Sequence, residues 1–221
     1  MKIISRILSF FVTIVIPFIL IMTSIRILIN PFFLDYEYNL PQFPADPYGF
    51  SKEDRLKWGK ISMDYLVNNE PDDFLGTLRF EDGTAVYNAR EISHMLDVRN
   101  LVKSALKAWY ILLIILGVIG LAAWKTGNLH ELRKAVARGG WLTLGVIGLV
   151  ITSTFIDFSS LFTAFHGLFF EGDTWLFFAD DTLIRLYPLK LWSDAFIFMG
   201  IFTMAGAFLC IFAIGRLSRK K

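Results

Sequence analysis

Apolar residues dominate four long runs along the chain, and each run is long enough to cross a lipid bilayer as a helix. A hydrocarbon core of about 30 Å needs about 20 helical residues. The four runs cover residues 6–29, 107–124, 141–170 and 193–215. The third is continuous to Ile156 and interrupted from there to Phe170. The pattern therefore predicts an all-α membrane protein with four transmembrane helices and a small extracytoplasmic cap.

The first run reads as a retained helix rather than a cleaved signal peptide. It is longer than the apolar region of a signal peptide, and no cleavage site with small residues precedes Asn30. Pro17 is tolerated in a membrane helix as a kink, and Arg26 can extend its charge to the interface.

Charge sets the predicted orientation, because basic residues favour the cytoplasmic side. Between Pro31 and Lys107 lie thirteen acidic and nine basic residues. Basic residues instead cluster at the start, between the second and third runs, and in the tail: Lys2, Arg6, Lys125, Arg133, Lys134, Arg138, Arg216, Arg219, Lys220 and Lys221. We therefore expect both termini in the cytoplasm and the site of action on the outer face of the membrane.

These assignments divide the chain into seven segments. They are transmembrane helix 1 (1–30), an extracellular cap (31–106), transmembrane helix 2 (107–124), a cytoplasmic loop (125–140), transmembrane helix 3 with an outer extension (141–170), an outer aromatic loop (171–192), and transmembrane helix 4 with a basic cytoplasmic tail (193–221).

Within the cap, local signals predict short elements. Residues 39–50 contain several prolines and predict an extended connector. Ser51 and Asp54 form a capping-box pattern before a helix that should reach about Val67. Residues 74–87 predict a hairpin with a type I′ turn at Asp82-Gly83. Asn88–Glu91 offers a second helix start, from which the chain can stay helical through the second span.

Two histidines on the outer side are the candidates for chemistry. On a helix, Glu91, His94 and Asp97 share one face, and a carboxylate there could hold the imidazole tautomer, although such triplets are also common on surfaces. His166 lies in an aromatic segment, where an imidazole needs a partner. Counting residues from the spans, the two meet only if the helix bends near Arg99-Asn100 or the second span begins nearer Leu101.

Other residues have plainer readings. Phe155, Phe158, Phe162, Phe165 and Phe169 recur at helical spacing, which fits a packed or lipid-facing helix as well as a pocket wall. Asp157 is most simply a buried hydrogen-bond partner. His130 reads as a solvated loop residue, and Cys210, the single cysteine, as a packing residue.

Two segments together resemble the bacterial lipoprotein intramolecular transacylase (Lit) family. They are Glu91–Val98 and Phe165–Trp175, within a chain of matching size, span number and cap position. The resemblance implies an acyltransferase that moves the sn-2 acyl chain of a diacylglyceryl-modified lipoprotein onto the α-amino group of its N-terminal cysteine, giving a lyso-form lipoprotein. It also implies that His94 and His166 are catalytic.

The residues are compatible with that chemistry. Imidazoles titrate near neutral pH, so His94 can act as base toward the amine and His166 as the second acid–base group. Tyr87 or Arg90 could steady the oxyanion. Further supporting or substrate-binding candidates are Glu91, Asp97, Asp157, Phe165, Asp173 and Trp175. The expected partners are diacylated lipoproteins and membrane lipid, with no nucleic acid, cofactor or metal.

Two other functions fit the same residues. A metal-dependent outer-leaflet lipid hydrolase could use His94, Asp97, His166 and Asp173 as ligands, although their spacing matches no strong metal signature. A non-catalytic lipid-binding or assembly protein would use the histidines only as interface residues. A transporter fits less well, because paired broken helices and mid-membrane charges are not evident.

Overall fold

The computed structural model describes residues 2–214, with side chains at residues 6–212. The helices in chain order are α1 (Lys2–Leu28), α2 (Pro31–Tyr38), α3 (Lys52–Tyr65), α4 (Phe74–Thr77), α5 (Ala89–Lys125), α6 (Leu129–Phe169), α7 (Thr182–Leu186) and α8 (Leu189–Phe208), which continues as a π-helical segment, Leu209–Ile214. Four of them, α1, α5, α6 and α8, are long and apolar enough to cross a membrane. The predicted membrane fold is confirmed.

The chain forms two compact units. The membrane unit contains the described residues up to Ile27, Ala105–Ile156 and those from Phe196 onward, and the cap unit contains Leu28–Ser104 and Asp157–Ala195. α5 has 37 residues, about 56 Å at 1.5 Å per residue, which is far more than one bilayer crossing needs. Its first turns therefore belong to the cap unit, and we take the spanning segments to be the helical parts of the membrane unit.

Small and hydroxyl side chains hold the membrane unit together. A Cβ added at Gly140 would lie 2.9 Å from the Ala207 carbonyl oxygen and 3.2 Å from the Cys210 Cβ, so the glycine permits close helix approach. The hydroxyls of Ser24 and Thr203 hydrogen-bond at 2.9 Å between α1 and α8. Within this unit the predicted packing role of Cys210 is confirmed, because that side chain is buried.

The predicted loop at 125–140 is much shorter in the structure. α6 begins at Leu129, so residues 126–128 alone join it to α5, with Gly127 at φ +73°. The basic residues Arg133, Lys134 and Arg138 lie on α6 rather than in a loop. The four basic tail residues, Arg216, Arg219, Lys220 and Lys221, lie outside the described residues, as does the Lys2 side chain.

The predicted capping box at the start of α3 is confirmed. The Ser51 Oγ accepts a hydrogen bond from the Asp54 backbone N–H at 3.0 Å, and the Asp54 carboxylate accepts from the Ser51 N–H at 3.1 Å. α3 ends at Tyr65, two residues before the predicted end. The connector before it is non-helical as expected and is tied down by an ion pair between Arg185 and Asp46 at 2.9 Å.

The predicted type I′ hairpin is wrong in two respects. Residues 74–77 form a helical turn, and beyond them a single β-bridge joins Arg79 to Ala85 in this described segment. A type I′ turn needs positive φ at both central residues. Gly83 has φ +84°, but Asp82 does not have positive φ, and its carboxylate accepts a hydrogen bond from the Thr84 N–H at 2.9 Å. This hydrogen bond to the Asp82 side chain stabilises a chain reversal that is not a type I′ turn.

A hydrophobic core joins α3, α4, α5 and α7 of the cap unit. Its buried members come from these helices and from the segment just before α5: Trp58, Tyr65, Leu75, Val86, Tyr87, Met95, Leu183 and Leu186. Burial of such side chains is worth about 1.5–3 kcal/mol each. This core fixes the first turns of α5 beside α7, and it therefore fixes the position of His94.

α6 breaks at Asp157, where φ is −157° and ψ is 91°. The Asp157 carboxylate accepts hydrogen bonds from the Ser160 N–H at 3.1 Å and from the Ser160 hydroxyl at 2.5 Å, and so caps the helical segment that follows. Asp157 is exposed, so the prediction of a buried partner is wrong. Of the two conditions under which His94 and His166 could meet, a bend near Arg99-Asn100 does not occur, because α5 is continuous there.

Candidate functional site

His94 and His166 meet inside the cap unit. Their ring centroids are 6.1 Å apart, and the ring planes differ by 23°. Both side chains are buried, with His94 7% and His166 9% exposed. Residues 72 positions apart in the sequence therefore form one imidazole pair.

Aromatic rings surround the pair. Phe170 touches both imidazoles, at 5.0 Å from His94 and 5.7 Å from His166 between centroids. Phe177 meets His94 edge-on at 5.3 Å. His166 contacts three further rings: Phe162 at 4.1 Å, Trp175 at 4.9 Å and Phe165 at 5.7 Å. Two of the phenylalanines that recur at helical spacing in the sequence, Phe162 and Phe165, therefore form part of the aromatic wall around the imidazole pair.

A hydrogen bond fixes the tautomer of His166. Its Nδ1 lies 2.8 Å from the Phe162 carbonyl oxygen, which can only accept, so Nδ1 carries the proton. In the neutral ring, Nε2 then has a free lone pair. His166 is in this way set up to accept a proton at Nε2.

The predicted carboxylate partner of His94 is wrong. The Glu91 carboxylate accepts hydrogen bonds from the backbone N–H groups of Asn88 at 2.8 Å and Leu183 at 2.7 Å. It closes a second capping box with Asn88, whose side chain accepts from the Glu91 N–H at 3.0 Å. The Nδ1 of His94 is buried and, among the described residues, has no hydrogen-bond partner.

Burial keeps both imidazoles neutral. The pKa of His94 is lowered to about 4, first by burial and second by the charge of His166. Burial also lowers the pKa of His166, and the hydrogen bond to Phe162 offsets part of that effect. The pKa of Glu91 is raised by burial, against the effect of its two backbone hydrogen bonds. Both imidazole rings are therefore neutral at neutral pH and can accept a proton, and the lowered pKa makes His94 a weaker base than an ordinary imidazole.

Arg90 lies at the edge of the aromatic wall. Its guanidinium pairs with the Asp181 carboxylate at 2.8 Å and lies over the rings of Phe177 at 5.5 Å and Phe178 at 4.8 Å. Tyr87, by contrast, is in the cap core. Its hydroxyl bonds to the Ser62 hydroxyl and to the Trp58 carbonyl at 3.3 Å, and burial raises its pKa. The Tyr87 hydroxyl, one of the groups considered as oxyanion donors, is therefore occupied within the cap core.

Asp97 lines an open cleft beside the imidazole pair. The cleft has a volume of about 450 Å³ and is lined by Asp97, Asn100, Phe169, Phe170, Glu171 and Thr174. Phe170 is shared between the cleft and the pair, so the two adjoin. Asp173 is exposed, and its backbone carbonyl accepts from the Leu176 N–H at 3.1 Å.

The ligand set imagined for a metal-dependent hydrolase is not assembled. Within residues 6–212, no three histidine, cysteine, aspartate or glutamate side chains converge as they would around a metal ion. His94 and His166 are the members of that set that meet.

Comparison with known proteins decides the family. A model of the family described as "Lipoprotein intramolecular transacylase Lit" matches residues 10–192, which is most of the chain and includes both histidines. The chain belongs to the Lit family. It is accordingly a multi-pass membrane enzyme of the transacylase class.

A relative and solved structures match this chain over nearly its whole length. An uncharacterized protein of Aquifex aeolicus (strain VF5) is 30% identical over 217 residues, which is 97% of this chain and 96% of that protein. A structure of the membrane-integral Lit of Bacillus cereus has a TM-score of 0.83 at 21% identity and covers 100% of this chain and 98% of that one. A structure of the same enzyme with a histidine-to-alanine mutation has a TM-score of 0.73 at 22% identity, covering 99% and 96%. The Lit fold is shared throughout.

Four site residues were missed by sequence reasoning: Phe170, Glu171, Phe177 and Asp181. Phe170 and Phe177 lie within an aromatic-rich stretch, but spacing alone does not say which rings face an imidazole. Asp181 immediately precedes α7 and pairs with Arg90 across 91 positions of sequence. No local pattern links residues so far apart, so a signal for that pair would have required the fold.

Proposed function

We propose that this Lit-family enzyme transfers the sn-2 acyl chain of a diacylglyceryl-modified lipoprotein to the α-amino group of its N-terminal cysteine. Buried imidazoles would carry the proton transfers. The observation that supports the proposal is the contact between His94 and His166, two acid–base groups of neutral charge inside an aromatic shell.

The reaction forms one N–C bond and breaks one C–O bond. The amine nitrogen attacks the ester carbonyl carbon, and the glyceryl oxygen leaves. Nitrogen enters as an ammonium and ends as an amide, so it loses two protons. One goes to solvent and the other to the glyceryl oxygen, which accounts for two acid–base groups. No water and no enzyme nucleophile are consumed.

The hydrogen bond at His166 suggests its role. With Nδ1–H held by Phe162, the Nε2 of His166 can take the proton from the attacking amine and return it to the leaving glyceryl oxygen. Before that attack, His94 accepts the first proton from the incoming ammonium. Holding amine and ester together in one substrate supplies proximity, worth about 7–11 kcal/mol in well-oriented cases.

The cleft beside the pair suits the charged end of the substrate. Asp97 and Glu171 place two carboxylates in it, and Asp97 follows His94 by three residues on α5. Phe169 and Phe170 form its apolar side. The carboxylates would attract the ammonium, and the rings would accept the lipid portion. We infer that the substrate reaches the imidazoles through this cleft.

The outer face is the proposed location of this chemistry. Basic residues Arg133, Lys134 and Arg138 at the start of α6 favour the cytoplasm, while the cap unit is rich in acidic residues. We propose that both termini are cytoplasmic and that the cap unit acts in the outer part of the membrane envelope.

Replacing either imidazole tests the assignment. His94→Ala and His166→Ala should each slow conversion by about 10²- to 10⁴-fold, because each removes an acid–base group. Mass spectrometry of a lipoprotein from a host without a related enzyme would show the diacylglyceryl form retained. His130→Ala, which alters an exposed histidine of α6, is the matched control and should convert normally. Full conversion by either site variant would sink the assignment.

Neutralising the cleft tests substrate entry. The double substitution Asp97→Asn and Glu171→Gln should raise KM about 3- to 10-fold with kcat nearly unchanged, because it removes attraction to the ammonium and leaves the imidazoles in place. Kinetics with a synthetic diacylglyceryl peptide would measure both constants. The control is Asp73→Asn with Glu81→Gln, two exposed cap carboxylates outside the cleft. Equal KM values in the two double variants would exclude the entry role.

Cysteine labelling tests the orientation. In a Cys210→Ala background, a cysteine at exposed Glu81 should react with a membrane-impermeant maleimide in intact cells. A cysteine at exposed His130 should react only after the cells are opened. The opposite pattern would place the cap unit in the cytoplasm.

A further inference from the structure

Asp181 joins two separate parts of the cap unit. Its carboxylate accepts hydrogen bonds from the Asn88 side chain at 2.8 Å, from Arg90 at 2.8 Å and from the Phe178 backbone N–H at 2.7 Å. Its side chain is 11% exposed. One carboxylate thus links the start of α5 to the aromatic loop before α7.

The rings held by this junction reach the imidazole pair. Arg90, paired with Asp181, lies over Phe177 and Phe178, and Phe177 meets His94 edge-on at 5.3 Å. A cation over an aromatic face is attractive by roughly 0.5–2 kcal/mol, more where water is excluded. The contacts therefore run without a gap from Asp181 through Arg90 and Phe177 to His94.

We propose that Asp181 is a positioning residue of the transacylation, which acts through Arg90 to hold Phe177 against His94 and to keep water from the imidazole pair. This inference rests on the proposed function. It assigns to Arg90 the role of a structural clamp, with its charge neutralised by Asp181, in place of the oxyanion role considered from the sequence.

The chemical consequence concerns the protonation of His94. Water admitted beside the ring would lower the cost of charging it, so the pKa of His94 would rise from its depressed value toward 6.5. The charged and titratable groups on the elements around His94 include His166, Arg90, Glu91, Asp97, Glu171 and Asp181. The active form has a neutral His94. As the pH falls, such a variant would therefore lose activity at a higher pH than the wild type does.

Asp181→Asn is the direct test, with Asp180→Asn as the matched control because Asp180 is an exposed carboxylate one position earlier. We expect Asp181→Asn to lower kcat about 10- to 100-fold, as loss of alignment does, with little change in KM. Its acidic limb of kcat against pH should move upward by about one pH unit. Asp181→Glu should recover part of both properties.

A second measurement distinguishes the positioning role of Asp181 from a loss of activity caused by unfolding. Each variant is assayed well below its thermal unfolding midpoint, and Arg90→Met is combined with Asp181→Asn. If the two residues act as one clamp, the double variant should be no slower than the slower single variant. Multiplying losses, or a slower rate with an unmoved acidic limb, would overturn the positioning role.

The control also distinguishes this inference from the proposed function. If Asp180→Asn converts lipoprotein normally and Asp181→Asn matches it in kcat and in pH dependence, the clamp is wrong and the proposed function stands. If His94→Ala and His166→Ala convert normally in the same assay, the proposed function has failed first.

Discussion

The burial of two facing imidazoles without a charged partner is the constraint on which the site depends. A charged imidazole is costly in an apolar surrounding, so each ring here is held as the neutral base. The aromatic rings around the pair contribute to this by excluding water. The hydrogen bond from His166 Nδ1 to the Phe162 carbonyl selects a tautomer without adding charge.

The rest of the cap unit can be understood as support for that pair. The Asn88–Glu91 capping box fixes the start of α5 three residues before His94, and the same Glu91 carboxylate binds the Leu183 N–H of α7. The break at Asp157 ends one helical segment of α6 and starts the one that carries His166. Backbone hydrogen bonds to the carboxylates of Glu91 and Asp157 thus position the site without adding charge beside the imidazoles.

Local sequence patterns predicted the membrane spans and the helix caps. They did not predict contacts between residues that are far apart in the sequence. The four spans follow from run length, and the capping boxes at Ser51 and Asn88 follow from short-range side-chain chemistry, so both were predictable. The pairing of His94 with His166 came from a family resemblance. The break at Asp157 and the Arg90–Asp181 pair depend on tertiary packing, and Glu91 was misassigned because helical spacing cannot tell a carboxylate facing an imidazole from one that binds backbone N–H groups.

A double-mutant cycle on the imidazoles tests the central claim most directly. Single-turnover conversion of a diacylglyceryl peptide is timed for the wild type, His94→Ala, His166→Ala and the variant with both changes. If the rings act as one unit, the doubly substituted enzyme will be about as slow as the slower single variant, because groups acting together are not additive. Losses that multiply across the cycle would mean that the two imidazoles work independently, and the account of a paired site would be contradicted.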